Sequence, residues 1–473
     1  MILRRVKRFN VPALVLAVLT VVGMSVGGAA AVTQPGYDTM RIDEGGSAMP
    51  YQVWTDWAPY ILPMPDGGAW VFFSAQTKVP NPQNPSETVL GTRKLYASHF
   101  DPVSGTWQPA TAFSGGQIQF GPTAVVDNQG TVHLIYTDRQ DAQAGSFGTL
   151  VYRKSTADGG WTDPVPVATD PAAGHQLSPE LVLDGQGGLH VAWQDQRLVT
   201  EDRRSGQTAQ ASNADVFASD LLPDGSWSAP VPINVRPDET TNASRPQLVV
   251  DGDRLMAVWS IYDEATGLNS AARVEWSTRP LADASQWAPA QTLFSRDDAQ
   301  IGGRFLDVAA DPTGGATIIY GRRTQNGDVL TNTLYLQKLA AGADAWGYPT
   351  ALISGNRGSY PKLSVGSDGT AYVIYNLGSN STVHVGAIAL APGETRASAE
   401  VTVTAGEEGA QGIPALAVDR NNAVWIVYMH QPTGGQANEV RVLRGAVIPS
   451  EPAPETPVAT PIASPEAAAS PSA

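Results

Sequence analysis

One short pattern of apolar and polar positions recurs along the chain. It begins with a proline, continues through an apolar run and a turn rich in Asp, Asn and Gly, and ends in a second apolar run that closes on an aromatic residue. The clearest copy reads PTAVVDNQGTVHLIY, from Pro122 to Tyr136. Each copy is typical of a β-hairpin, because the turn residues tolerate positive φ and the second run contains strong strand formers. We place the proline at the first residue of its strand, where the missing N–H leaves no ladder bond unmade.

We count seven copies, called here repeats one to seven. They start at Pro59, Pro122, Pro179, Pro246, Leu306, Pro361 and Pro414. The closing aromatic residues, called the aromatic column, are Phe73, Tyr136, Trp193, Trp259, Tyr320, Tyr375 and Tyr428. The interval is 14 residues in all copies except the fourth, which is one residue shorter, and only the fifth has lost its proline. Such internal repetition predicts a repeat architecture.

Most hairpins are followed by a third strand, a tryptophan and a fourth strand. These tryptophans are Trp107, Trp161, Trp227, Trp287 and Trp346. Four strands per repeat predict an all-β fold: a seven-bladed β-propeller of four-stranded antiparallel blades. The seventh repeat leaves room for only one more strand, near residues 439–447, so we expect an N-terminal strand from within residues 37–53 to close the ring.

The two ends of the chain differ from the repeats. Residues 1–31 combine Arg4, Arg5, Lys7 and Arg8 with an apolar run and small residues, which is typical of a signal peptide. Residues 449–473 contain seven prolines, many alanines and no aromatic residue, and predict a disordered tail. We therefore expect residues 32–448 to form a single propeller, secreted or exposed at the cell surface, with no membrane span after signal removal.

Charge and composition narrow the possible partners. The chain has no cysteine, so packing alone must stabilise it. Removal of the signal leaves 26 basic and 45 acidic residues and a net charge of −19, which disfavours binding to nucleic acid. No metal, phosphate-binding or hydrolase nucleophile motif is present, so we predict no cofactor and no metal site. We expect a monomer that binds an extracellular glycan or protein.

The turns before the fourth strands resemble degenerate Asp-box, or BNR, motifs. They read Asp101-PVSGTW, Ser155-TADGGW and Pro223-DGSW, against S-x-D-x-G-x-T-W in the family. Over roughly residues 50–447 the chain is thus similar to the sialidase-like propeller superfamily. That resemblance implies a propeller fold and, in an enzyme, an arginine triad, an aspartate acid/base and a Tyr-Glu nucleophile pair. The nearest match to the family's R-I-P phrase is Arg41-Ile42-Asp43, which lacks the proline, and sialidases have six blades.

Aligning the repeats predicts two sets of residues at the mouth of the central channel. The first set follows the starting position of each repeat and comprises Tyr60, Thr123, Glu180, Gln247, Asp307, Lys362 and Ala415, with Arg245 at the same strand entrance. From it we select Glu180, Asp307, Lys362 and Arg245 as candidate ligand-binding residues. The second set follows the aromatic column, and its candidates are Asp138, Arg139, Asp195, Arg197, Arg322 and Tyr262.

These side chains suit a glycan, because arginines bind carboxylates, aromatic rings stack on sugars, and a pair such as Glu180 and Asp307 can act as acid and base. For any single residue the sequence favours a solvated strand end or a structural ion pair, whereas for the ring as a whole a binding surface has about equal weight. The sequence favours a secreted propeller that binds carbohydrate at the channel mouth. The alternatives are a sialidase-like glycoside hydrolase and a protein-interaction scaffold of the cell envelope, and catalytic residues are not identified.

Overall fold

The structure is a computed structural model. It describes residues 40–41, 51–53, 58–140, 147–168, 174–197, 214–234, 241–263, 273–295, 300–326, 329–355, 357–378, 383–433 and 438–453. The predicted signal peptide and most of the predicted tail lie outside these residues. None of the described residues forms a helix, and so none forms an apolar helix long enough to cross a bilayer.

The strands follow the repeats in order. Ahead of repeat one lie β1 (Met40–Arg41) and β2 (Tyr51–Val53). Repeat one contains β3 (Tyr60–Pro63), β4 (Ala69–Asn81), β5 (Asn84–Asp101), β6 (Thr106–Trp107) and β7 (Thr111–Ala112). Repeat two contains β8 (Ile118–Val126), β9 (Val132–Arg139), β10 (Thr149–Lys154) and β11 (Val165–Pro166). Repeat three contains β12 (Gln176–Leu183), β13 (Leu189–Asp195), β14 (Asp215–Asp220) and β15 (Val231–Pro232).

The remaining repeats have the same design. Repeat four contains β16 (Thr241–Asp251), β17 (Arg254–Asp263), β18 (Arg273–Pro280) and β19 (Gln291–Ser295). Repeat five contains β20 (Gln300–Ala310), β21 (Gly315–Asn326), β22 (Val329–Ala340) and β23 (Thr350–Gly355). Repeat six contains β24 (Arg357–Val365), β25 (Ala371–Leu377), β26 (His384–Leu390) and β27 (Val401–Thr402). Repeat seven contains β28 (Ala410–Val418), β29 (Val424–Gln431) and β30 (Glu439–Arg444).

Four-stranded antiparallel sheets are the repeated unit, as predicted. Repeats three to six each form one such sheet, with the strands in sequence order. Repeat seven contributes three strands, and β1 adds a fourth, with Met40 opposite Val442. Repeats one and two are joined in a single ten-stranded sheet by one parallel pair, Arg93 with Ile118. The chain therefore has an all-β, propeller-like fold.

The proline occupies a different place in its strand from the one predicted. In repeats two, three, four, six and seven it lies inside the first strand, three to five residues after the strand's first residue, and only Pro59 precedes its strand. A register shift, or β-bulge, brackets each of these five internal prolines, as between Phe120 and Thr123. The bulge accommodates the missing N–H, so the strand can begin earlier than the pattern suggests.

The aromatic column is buried, as expected for a core position. All seven of its side chains are at most 2% exposed. Seven hydrophobic clusters among the described residues each join two repeats: one with two, two with three, three with four, four with five, five with six, six with seven, and seven with one. The core therefore lies between neighbouring sheets and replaces the disulfides that the chain lacks.

The described chain continues past the predicted end of the propeller at residue 448. Pro452 forms a β-bridge with Ser398, and the N–H of Ala453 donates to the carbonyl of Ala397 at 3.1 Å. Just before this segment, Ile448 is 7% exposed and packs in the cluster between repeats six and seven. Residues 449–453 therefore lie against repeat six, while the rest of the predicted tail, residues 454–473, lies outside the described residues.

This packing predicts that Ile448→Ala lowers the free energy of unfolding by about 2–3 kcal/mol, because it removes buried methyl groups and leaves a cavity. The adjacent Val447 is 61% exposed, and Val447→Ala is the matched control, with an expected change within about 0.5 kcal/mol. Denaturant unfolding of both variants measures the difference. Equal stabilities would contradict a structural role for the C-terminal segment.

Candidate functional site

A cavity of about 420 Å³ lies among the first strands of all seven repeats. These strands are β3, β8, β12, β16, β20, β24 and β28, and each contacts the next, with β28 also contacting β3. Six of the starting prolines line the cavity. Its volume falls within the usual range of small-molecule sites, about 300–1,000 Å³.

The first set of predicted residues occupies equivalent positions in all seven sheets. Each member pairs with the residue just before the aromatic column, as Glu180 does with Ala192 and Asp307 does with Ile319. In repeats two to seven this pairing lies inside the first strand, whereas the sequence analysis placed these residues at the strand's loop end; Tyr60 alone is the first residue of its strand. The difference arises because the strand begins ahead of the proline. All but one member of the set therefore line the cavity from within the first strands, and their predicted place at the mouth of a central channel stays a prediction.

Glu180 presents a carboxyl group to the cavity. Among the described residues its one hydrogen-bond partner is the amide of Gln247, whose Nε2 donates to Oε2 at a long 3.4 Å. The same Nε2 donates to the carbonyl of Pro246 at 3.1 Å. Glu180 therefore retains hydrogen-bonding capacity for a molecule in the cavity.

Asp307 is more firmly held. Its Oδ2 accepts the backbone N–H of Leu363 at 2.8 Å, and its Oδ1 lies 3.5 Å from Nζ of Lys362. Because Leu363 and Lys362 belong to repeat six, this carboxylate links the first strands of repeats five and six. Lys362 remains partly exposed, with 34% of its side chain accessible.

Two residues of the first set form hydrogen bonds between neighbouring repeats. The hydroxyl of Tyr60 donates to the carbonyl of Ala124 at 2.8 Å, and the hydroxyl of Thr123 accepts the N–H of Leu181 at 3.2 Å. Tyr60 and Gln247 were in the aligned set but were not selected as candidates. Their position in the alignment was the only signal available for them.

Burial changes the ionisation of the cavity carboxyls. It raises the pKa of Glu180 to about 8; the negative charge of Asp307 raises it as well, and Lys362 and the Gln247 hydrogen bond oppose both effects. Burial also raises the pKa of Asp307, against the opposing effects of Lys362 and the Leu363 N–H. At neutral pH Glu180 is therefore an uncharged carboxylic acid.

Arg245 also lines the cavity, at the bulge of β16. Its φ of +54° is in the left-handed region, which is uncommon for a side chain other than Gly, Asn or Asp. Ser178, Tyr360 and Ile413 occupy the same bulge position with φ of 49–53°. The cavity wall thus includes strained backbone just before four of its prolines.

The second set of candidates does not line the cavity. The second set lies three to five residues beyond the cross-strand partners of the first set, a separation of at least about 10 Å along the strand. Asp195 accepts the indole N–H of Trp193 at 2.7 Å and pairs with Arg197 at 2.8 Å, and Arg197 lies over the Phe217 ring. Arg322 lies over two rings, those of Phe294 and Tyr335.

The other members of the second set also have local contacts. Asp138 is 2% exposed and accepts the N–H of Gly116 at 2.9 Å, and burial raises its pKa. Tyr262 is 5% exposed. Arg139 lies near His175, whose pKa falls to about 4 through burial and the arginine's charge. The structure thus brings Glu180, Arg245, Asp307 and Lys362 together and places the other six candidates elsewhere.

Two of the histidines in the second strands, His133 and His190, contact the hairpin turns. Nε2 of His133 lies 3.2 Å from Oδ2 of Asp127, and Nε2 of His190 lies 3.1 Å from Oδ2 of Asp184. In the described ranges, no three His, Cys, Asp or Glu side chains are grouped as a metal site requires.

Comparison with known proteins bears on the fold. No protein-family model and no curated protein sequence matches the chain. A PL25 polysaccharide lyase, an ulvan lyase, is similar in structure, with a TM-score of 0.53 at 10% identity over 84% of this chain and 94% of that chain. A fungal alcohol oxidase of the AA5 family, solved with copper, has a TM-score of 0.50 at 12% identity over 89% of this chain and 79% of that chain.

A GH93 α-L-arabinofuranosidase of Fusarium graminearum, solved with arabinobiose, has a TM-score of 0.48 at 14% identity over 68% of this chain and 92% of that chain. At such low identities, the likeness to the lyase and the oxidase shows a common fold and nothing of the function. The resemblance to sialidases and their Asp boxes stays a prediction.

The raised pKa of Glu180 predicts a pH-dependent stability. The folded protein keeps this proton up to a pH of about 8, whereas the unfolded chain releases it near 4.5. The contribution is therefore fully present below pH 4.5 and is lost as the pH rises through 8. Glu180→Gln mimics the protonated form, so between pH 5 and 9 the wild type should lose about 1–3 kcal/mol more unfolding free energy than the variant.

Denaturant unfolding at pH 5 and pH 9 measures this difference. Glu394→Gln is the control, because it makes the same chemical change at an exposed turn and should follow the wild type. Parallel pH profiles for wild type and Glu180→Gln would show that Glu180 ionises normally.

Proposed function

We propose that the protein is a secreted, seven-bladed β-propeller that binds carbohydrate in its central cavity. The observation that carries this proposal is the convergence of polar side chains from five repeats on one cavity: Tyr60, Glu180, Gln247, Asp307 and Lys362. Loops and channels of a rigid scaffold are frequent ligand sites.

Three findings support seven blades and a closed ring. Each repeat has its own hairpin with a buried aromatic-column residue. Hydrophobic clusters join each repeat to the next and repeat seven to repeat one. The pairing of β1 with β30 supplies a fourth strand from the N-terminal side of the chain. The ten-stranded sheet then comprises two blades joined by a single residue pair, plus β2.

The cavity chemistry suits a saccharide. Hydroxyl groups need donors and acceptors close together, and Glu180 and Gln247 offer both. The ring faces of sugars need apolar surface, which the prolines supply. The fold is compatible with such a ligand, because the similar PL25 ulvan lyase has been solved bound to -[GlcA(1-4)Rha3S]-.

Binding to an immobilised glycan array tests this proposal. Glu180→Ala removes the available carboxyl and should weaken binding of the strongest glycan at least tenfold, or about 1.4 kcal/mol. Glu394→Ala, at an exposed turn, is the matched control and should bind as the wild type does. Absence of any glycan signal, or unchanged binding by Glu180→Ala, would count against the proposal.

A glycoside hydrolase is the second candidate, because the carboxyls of Glu180 and Asp307 share the cavity and interact electrostatically. A protonated acid beside a second carboxylate is the arrangement such enzymes use. The described lining contains one arginine, Arg245, where a sialidase requires three. The test is to incubate the bound glycan with the wild type and with Glu180→Gln and to separate the products by chromatography. Cleavage by the wild type alone supports a glycoside hydrolase.

A further inference from the structure

A second cavity, of about 280 Å³, lies at the hairpin turns of repeats five, six and seven. Its lining is formed by residues 310–312, 365–367 and 418–420, where the first strands end and the turns begin. The cavity of about 420 Å³ described above is called here the central cavity. The second cavity therefore lies at the end of the first strands that is opposite the loop end.

The two cavities adjoin each other along three neighbouring strands. Val418 lines both of them. In β24 the lining of the central cavity ends at Ser364, and that of the second cavity begins at the next residue, Val365. In β20 a single residue separates Val308 of the central cavity from Ala310 of the second. One lining thus continues into the other on the side of repeats five, six and seven.

The central cavity also extends furthest toward the turns on this side. In repeats two, three and four its described lining ends at Pro122, Glu180 and Gln247, whereas in repeats six and seven it continues to Ser364 and Val418. The hydroxyl of Ser364 accepts the N–H of Val418 at 3.1 Å, so these two residues mark the junction of the cavities. The deep end of the central cavity is therefore directed at the second cavity.

The second cavity is bordered by solvent-exposed turn residues. Pro312, Ser367 and Arg420 line it and are exposed. The turns keep their shape through local hydrogen bonds, because Asp311 and Asp419 each accept the backbone N–H of the residue two positions on. The space between the turns is therefore a fixed feature of the folded chain.

We propose that the second cavity is an opening of the central cavity at the hairpin-turn end, through which water and small molecules exchange with solvent. The central cavity is polar and roomy enough to hold water when no ligand occupies it. A ligand that enters from the loop end displaces this water, and a second opening allows the water to leave ahead of the ligand. This inference goes beyond the proposed carbohydrate function and does not depend on it.

Thiol labelling tests the opening, because the chain has no cysteine and a single introduced cysteine is its only thiol. Ser364→Cys places the thiol at the junction, and Ser178→Cys places it at the bulge of β12, on the loop side of Glu180. Arg420→Trp adds a bulky side chain at the exposed border of the second cavity. With methyl methanethiosulfonate as the probe, we expect Arg420→Trp to slow the modification of Ser364→Cys at least threefold and to leave that of Ser178→Cys unchanged.

Asn128→Trp is the matched control, because Asn128 occupies the equivalent exposed turn position of repeat two and lines neither cavity. It should leave both labelling rates unchanged. Denaturant midpoints show whether each tryptophan variant folds, and Ser367→Trp replaces Arg420→Trp if that variant does not. The inference is overturned if Ser364→Cys is not modified at all or is modified at the same rate with and without the tryptophan. Equal slowing by Asn128→Trp, or equal slowing at Ser178→Cys, overturns it as well.

Discussion

A proline in the innermost strand of a sheet is the constraint on which the cavity depends. It has no N–H to donate, so a regular ladder cannot pass through it. In five repeats the strand forms a β-bulge at the proline. In four of these repeats the residue before the proline is not glycine and has a φ in the left-handed region: Ser178, Arg245, Tyr360 and Ile413. Each such residue stores on the order of 1–3 kcal/mol of strain, which persists only because the surrounding sheet holds it.

The surrounding structure that opposes this strain is the apolar packing between sheets. On one side of the bulge the second strand carries a fully buried aromatic residue, such as Trp193 or Trp259. On the other side, backbone N–H groups of the neighbouring first strand donate hydrogen bonds to polar side chains. The N–H of Leu181 donates to Thr123, and the N–H of Leu363 donates to Asp307. Polar side chains of the cavity therefore form hydrogen bonds between repeats and are also candidate ligand contacts. Because the chain has no cysteines, apolar packing and these hydrogen bonds together stabilise the contacts between sheets.

The repeat pattern predicted the sheets well because it reflects which side chains are buried, and buried positions are apolar in the sequence. The aromatic column and the hairpin turns follow from period-two alternation and turn chemistry. The alignment also predicted which residues are equivalent, since all seven members of the first set have the same cross-strand partner position. Their depth was not predictable, because the strand continues ahead of the proline through a bulge that has no distinct sequence signal. The contacts of the second set depend on partners far along the chain, as with Arg197 over Phe217, and a repeat alignment holds no information on them.

The position of Glu180 along its strand bears on how a carbohydrate would reach it. This residue lies about 10 Å along the strands from the loop end, where Asp195 and its equivalents lie. In the closed ring proposed above, a saccharide would reach Glu180 along the ring axis, an approach that suits the end of a chain or a side branch better than the interior of a long polymer. Entry from solvent also strips water from the ligand before it meets Glu180 and Gln247, which makes each hydrogen bond there stronger than at an open surface and each unmatched charge more unfavourable. The mid-strand position that the sequence alignment misjudged thus determines how far a ligand must enter before it meets Glu180.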